Sequence, residues 1–193
     1  MAPAVTLLSV LVSTIPERRA TTYARLMDDL ERQARGRAVE LLSFYDNRCR
    51  SVGAKRNVLL QAAQGLFCTF VDDDDTVAPD YLLEIMTAIR DHMDADVICY
   101  ETECRINGGP PIRCQYSKDY AYRWEGQDWW GPPAHTMVWR TKLAQQHRFP
   151  DKMFGEDADF VTAAVADVRK EVQIPRTLYY YNQSNAESFT RGR

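Results

Sequence analysis

Residues 66–71 (LFCTFV) form an apolar run broken only by a threonine, and they lead straight into Asp72, Asp73, Asp74 and Asp75. Such a run, without polar alternation, predicts a strand buried on both faces, as in a parallel sheet covered by helices. Four adjacent carboxylates repel one another, so placing them at the end of a buried strand calls for something positive beside them. The first hundred residues agree with that architecture. Residues 5–12 predict a further buried strand, and residues 39–45 and 96–100 two more strands. Tyr23, Leu26, Met27, Leu30 and Ala34 recur at helical spacing, with Thr14, Pro16 and Glu17 as the expected capping start and Gly36 as the stop. Residues 51–64 predict a second helix, with Val58, Leu59, Ala62 and Ala63 on one face, and Pro79 opens a third.

Strand and helix thus alternate three times, which predicts an α/β fold with a mostly parallel central sheet flanked by helices. Right-handed crossovers bring ligands to the carboxyl ends of such strands. Thr14, Asp46 and the four aspartates all stand at those ends, so three strands aim polar groups at one edge.

Composition narrows the class. The 193 residues suit one domain spanning 1–193. At 45% hydrophobic the chain has material for a core, and disorder throughout is excluded. Its 24 basic and 27 acidic residues give a net charge of −3, so bulk charge does not mark a nucleic-acid or membrane-surface binder. No secretory signal or membrane-spanning apolar stretch is seen. Cys49, Cys68, Cys99, Cys104 and Cys114 are odd in number and lack C-x-x-C spacing, which argues against structural zinc. Cys104 and Cys114 flank a turn and are placed to face each other across a hairpin, but free thiols in a reducing cytoplasm are the favoured expectation.

From residue 101 the pattern changes. Residues 101–133 are rich in Gly, Pro, Arg, Tyr and Trp and predict hairpins and loops; residues 156–168 predict a helix; residues 171–174 and 178–181 predict two short strands. Arg105, Arg113, Arg123 and Arg140 are candidates for a basic rim, which keeps an anionic acceptor open.

The aspartates point to oxygen-only ligation of Mg²⁺ or Mn²⁺, ions that keep waters and share their remaining positions with phosphates. If strand geometry continues, Asp72 and Asp74 point the same way. The competing reading is a solvated acidic loop before the Pro79 helix.

Two families use such a run. The sequence of residues 70–77 matches the apolar-then-D-x-D-x-T/V pattern of haloacid-dehalogenase phosphatases, in which Asp72 would be the nucleophile and Asp74 the acid/base. It equally resembles the F-x-D-x-D-D of glycosyltransferase family 2. The surroundings favour the second. The phosphatase motif follows the first strand of its core, whereas here it follows the third. Residues 51–57 (SVGAKRN) resemble the family-2 element opening the helix before the D-x-D strand, and Ala63-Gln64-Gly65 resembles the end of that helix. Met137-Val138-Trp139-Arg140, Phe149-Pro150 and Gly155-Glu156-Asp157-Ala158-Asp159-Phe160 resemble the element ending in G-E-D-x-x-F, and Tyr179-Tyr180-Tyr181 with Ser188 and Thr190 resembles the closing stretch.

That resemblance implies a GT-A (Rossmann-like) fold and an inverting transfer from a nucleotide-diphosphate sugar, most often a UDP-sugar, to a hydroxyl acceptor, with Mn²⁺ or Mg²⁺. Residues 1–100 would bind the donor and 101–193 the acceptor. It implies Asp74 as metal ligand, assisted by Asp72 and Asp75; Asp72 and Asp73 beside the nucleotide; Asp46, Thr14 and Pro16 around the nucleobase; Lys55 or Arg56 against the diphosphate, unless they form an exposed helix face. Asp157 would be the catalytic base, supported by Glu156. The late histidine that several members give to the metal is missing, and His135 is a candidate substitute or donor-sugar contact. Trp129 and Trp130 are candidate sugar or acceptor contacts; as neighbours in an extended segment they face opposite sides. The acceptor is left open between saccharide, protein and modified nucleic acid, and a catalytically inactive sugar-nucleotide-binding module is the non-enzymatic alternative.

Overall fold

The structure is a computed structural model that describes residues 5–183. β1 (Leu8–Thr14) buries Leu8, Val10, Leu11 and Val12 completely. It pairs in parallel with β2 (Val39–Tyr45) on one edge and with β3 (Phe67–Phe70) on the other. α1 (Thr22–Ala34) and α2 (Val52–Ala62) make the crossovers. α3 (Tyr81–Asp91) follows β3 after the two-residue β4 (Thr76–Val77).

Two local expectations are corrected here. α1 does not start at Thr14. That residue still pairs with Tyr45 in the β1–β2 ladder, residues 16–21 are turns, and the helix begins at Thr22. A residue held in a ladder cannot cap a helix, because its backbone is already committed to strand geometry. In α2, Ser51 does cap, accepting from the Ala54 N–H at 3.0 Å, but the apolar face is not as expected. Val58 is 42% exposed, while Lys55 and Arg56 are each 5% exposed.

β5 (Val97–Ile106) is the hinge of the sheet. β9 (Val138–Arg140) and β6 (Ile112–Tyr116) lie antiparallel along one edge, and β10 (Glu171–Gln183) runs parallel along the other. β8 (Asp128–Gly131) and β7 (Arg123–Glu125) extend the β6 side. The order is β2-β1-β3-β9-β5-β6-β8-β7, with β10 beyond β5 also carrying β4. The longest ladders are parallel, as expected, and β9 is the antiparallel insert between β3 and β5.

The two short strands expected at 171–174 and 178–181 are one strand, β10, with register irregularities between Ile174 and Tyr179. Pro175 lacks an N–H for the ladder, so the pairing slips there and resumes. Cys104 stands opposite Ile112 and Cys114 opposite Thr102, and all five cysteines are free.

α4 (Thr141–Ala144) follows β9, and α5 (Glu156–Val165) packs beneath the sheet. Phe160 of α5 stacks on Phe149 with ring centroids 4.1 Å apart and meets Trp139 edge-on at 5.8 Å. Those rings fix the start of α5 beside the end of β3. Among the described residues, no helix is long and apolar enough to cross a membrane.

Candidate active site

A cleft of about 670 Å³ opens at the carboxyl ends of β1 and β3. Asp72, Asp73, Asp74 and Asp75 line it, as do His135, Glu156 and Asp157. The chain turns at Asp73 and Asp74, so the four carboxylates find four different settings.

Asp72 accepts from the Arg56 guanidinium at 2.9 Å, and His135 Nε2 lies 3.5 Å from its other oxygen. Burial works against its charge, but Arg56 and His135 hold its carboxyl far below the ordinary range. Asp73 and Asp74 share Arg18, at 2.7 and 2.6 Å. Burial pushes Asp74 up to about 6, with Arg18 opposing and Asp72 and Asp73 adding to the rise. Asp75 is 2% exposed and accepts from the Tyr179 hydroxyl at 2.6 Å; that hydroxyl in turn accepts from the Asp72 N–H at 3.0 Å.

Of the expected metal ligands Asp72, Asp74 and Asp75, the structure leaves Asp72 and Asp74 the more open to the cleft. Among the described residues, no three His, Cys, Asp or Glu side chains are grouped to hold an ion. Asp75 is turned into the protein by Tyr179, whereas Asp72 and Asp74 each keep 28% of their side chains exposed in the cleft. Two carboxylates facing a cleft fit the way Mg²⁺ is commonly bound, with one or two carboxylates and the rest from water and substrate phosphate.

Arg56 is not free for a diphosphate. Its second nitrogen pairs with Glu156 at 2.5 Å, so one guanidinium joins the end of β3 to the start of α5. A planar fork between two carboxylates is a role that lysine cannot fill equally. Burial raises Glu156 while Arg56 opposes. The neighbouring Lys55 lines the cleft, and no hydrogen bond or ion pair to a described residue engages its ammonium. Burial lowers its pKa, with Asp46 and Asp73 opposing.

Asp157 stands in the first turn of α5, after Gly155 in the left-handed conformation at φ 68°. One of its oxygens accepts from the Ala158 N–H, and the other lies 3.6 Å from His135 Nδ1. His135 thus stands between Asp72 and Asp157. Its Nε2 is buried and makes no hydrogen bond to a described residue.

Other expected residues fall differently. Asp46 is fully covered behind the wall, its Oδ1 accepting from the Cys49 N–H at 2.8 Å, and Arg48 and Arg50 of the same loop line the cleft instead. Thr14 is buried and Pro16 lies off the lining; Ser13, Ile15 and Arg18 occupy that wall. Trp129 faces the cleft. Trp130 faces away, covered by Tyr120 and by Arg123, whose guanidinium carbon is 4.7 Å from its ring. The alternation of strand side chains separates these neighbours.

The expected basic rim is absent. Arg105 pairs with Glu103, Arg113 with Asp128 and Arg123 with Glu125, while Arg140 donates to the carbonyls of Ala95 and Met93. Arg18 and Tyr179 were not singled out as site residues from sequence. A basic residue in the loop after the first strand was the available signal for Arg18; nothing local marks Tyr179 among three successive tyrosines.

The sequence profile of glycosyl transferase family 2 matches residues 37–155. The chain belongs to glycosyltransferase family 2. That match sets aside the haloacid-dehalogenase reading of Asp72 and Asp74. EpsH of Bacillus subtilis (strain 168) is 34% identical over 59 residues, 31% of this chain and 17% of EpsH. TarS 1-349 of S. aureus, solved in complex with UDP-GlcNAc, superposes with a TM-score of 0.68 at 18% identity, over 97% of this chain and 61% of TarS 1-349. The TarS fragment without that ligand gives 0.65 over 91% of this chain. The GT-A fold expected from the family-2 motifs is the fold observed. The chain spans less than two-thirds of the length of these relatives.

Proposed function

We propose that this chain transfers a sugar from a UDP-sugar to a hydroxyl acceptor, with inversion at the anomeric carbon and with Mn²⁺ or Mg²⁺ as cofactor. One observation carries the reading: a single cleft joins carboxylates and cations at the ends of β1 and β3 to a partly exposed carboxylate, Asp157, on a rigid helix start. The binding of UDP-GlcNAc by TarS, which shares the fold, supports a uridine nucleotide.

In this reading the diphosphate lies beside Lys55, and Arg18 holds the acidic loop in place. Asp72 and Asp74 would hold the metal, which supplies charge neutralisation for the departing diphosphate. Asp157 accepts the proton of the acceptor hydroxyl as its oxygen bonds to the anomeric carbon. The bond from that carbon to the diphosphate oxygen breaks, and UDP leaves with the electron pair. Arg56 and Glu156 keep Asp157 and the acidic loop in register.

A screen of UDP-sugars for slow hydrolysis with Mn²⁺ tests the donor. UDP with Mn²⁺ is expected to raise the melting temperature of the parent, and Asp74→Ala is expected to lose the Mn²⁺-dependent part. An unchanged response in that variant would remove Asp74 from the metal site. Absence of any UDP response in the parent would remove the donor assignment.

A further inference from the structure

Large exposed apolar side chains gather at one place. Ile106, Tyr122, Trp124, Met153, Phe154 and Tyr181 are between 38% and 60% exposed, and all six line the cleft. They come from the end of β5, the β7 region, the loop before α5 and the end of β10. The exposed apolar residues outside the cleft, such as Val58, Leu83 and Met93, are on separate elements. Apolar surface concentrated on one rim marks a binding surface, whereas scattered residues need no explanation.

Charge is divided along the same cleft. Every lysine or arginine lining it among the described residues lies between positions 18 and 56. Among the described residues from 102 onward, the charged lining groups are Glu156 and Asp157, besides His135. Asp157 is close enough to Tyr122 to add to the rise in its hydroxyl pKa, which burial dominates. Glu156 is balanced by Arg56, but Asp157 has no lysine or arginine partner among the described residues, so an anionic body on this side would meet its charge.

We propose that the acceptor is an uncharged molecule whose reacting hydroxyl adjoins an apolar ring or chain, seated on this rim beside Asp157. The proposal rests on the transferase reading and names the acceptor class for it. Trp124 and Tyr122 offer ring faces, and Met153 and Phe154 offer adaptable apolar contact from the opposite wall.

The test uses the full chain with UDP and Mn²⁺, titrated by calorimetry with phenyl β-glucoside, octyl β-glucoside, glucose and glucose 6-phosphate. The phenyl and octyl glucosides are expected to bind at least tenfold more tightly than glucose, and glucose 6-phosphate most weakly. Trp124→Ala and Phe154→Ala are each expected to weaken phenyl β-glucoside at least fivefold. Leu83→Ala, an exposed change away from the cleft, is expected to leave it as in the parent. Tighter binding of glucose 6-phosphate, or of an oligonucleotide carrying 5-hydroxymethylcytosine, would overturn the proposal. So would equal binding of glucose and its phenyl glycoside, or loss in the Leu83 variant equal to that in the Trp124 variant. The preceding UDP titration separates the two levels: no UDP binding overturns the transferase reading and this inference with it, whereas UDP binding without preference for the apolar glycosides overturns this inference alone.

Discussion

The half of the molecule from β1 to α3 and the half from β5 onward are built by different rules. In the first, strands alternate with helices, and every lysine or arginine lining the cleft among the described residues lies there. In the second, short strands turn back on one another, arginines pair locally, and the cleft wall is aromatic and aliphatic. Under the proposed function, the contrast would give a charged donor and an uncharged acceptor opposite surroundings, and one sheet would supply both by changing strand direction at β9. Several side chains join the halves at the cleft, among them Tyr179 on Asp75 and His135 beside Asp72. Arg56 pairs with Asp72 and Glu156, and Asn57 exchanges two hydrogen bonds with the backbone of Phe149, at 2.8 and 3.0 Å.

Substitutions at four positions break or sharpen this division. Asp157→Asn removes the proposed base and is expected to lower kcat for transfer by about 10²–10⁴-fold. UDP binding by calorimetry should stay as in the parent, because the change lies on the second half alone; retained turnover would exclude Asp157 as base, and retained binding without turnover would exclude an inactive module. Arg56→Ala leaves Glu156 buried without its cation and should cost about 3–5 kcal/mol in chemical denaturation. Arg56→Lys is expected to recover part of that, since lysine reaches one carboxylate but not both. A loss within about 0.5 kcal/mol would show that the halves hold together without this pair.

Gly53→Ala probes the same seam from the backbone. A methyl there runs into the Pro150 carbonyl, and Glu156 Cβ stands 3.4 Å away. Forced overpacking of this kind costs about 1–3 kcal/mol. A neutral outcome would mean that the loop at 150–152 yields to α2. Lys55→Met keeps most of the side chain's bulk and removes its charge. It is expected to weaken UDP about tenfold, near 1.4 kcal/mol, with little change in stability. An effect on acceptor binding but not on UDP would reverse the assignment of the two sides.

The first half was largely legible in advance. β2 was placed at its observed bounds, and the strand before the aspartates and the helix from Ser51 were each found within a few residues. Strict alternation of apolar strands and amphipathic helices is a local signal, and Ser51 caps by a local hydrogen bond. The helix start at Thr14 failed because the same residue suits two local structures, and the partner that decides between them, Tyr45, is remote in sequence. In the second half, β10 read as two strands because Pro175 interrupts the pattern, although pairing with β5 carries the strand past it. Within the site, the residues bearing chemistry were nameable from their motifs, but their partners were not. Arg56 was assigned to a diphosphate, or to solvent, when it is buried between two carboxylates from positions 72 and 156. The closing residues Ser188 and Thr190 lie outside the described residues.

By itself, the sequence determined that the strands before Thr14 and before the aspartates are buried, that the polar groups following three strands collect at one sheet edge, and that an acidic pair follows a glycine at a helix start. Those are consequences of periodicity and of residue chemistry at one position. The tertiary structure alone decided how the four aspartates divide. One goes to Arg56 and His135, two to Arg18 and one to Tyr179. It also decided that the arginines of residues 101–140 turn away from the cleft. Identical side chains in a row carry no local difference. Only the charge and burial brought by distant residues distinguish a carboxylate sealed into the core from one left facing the cleft.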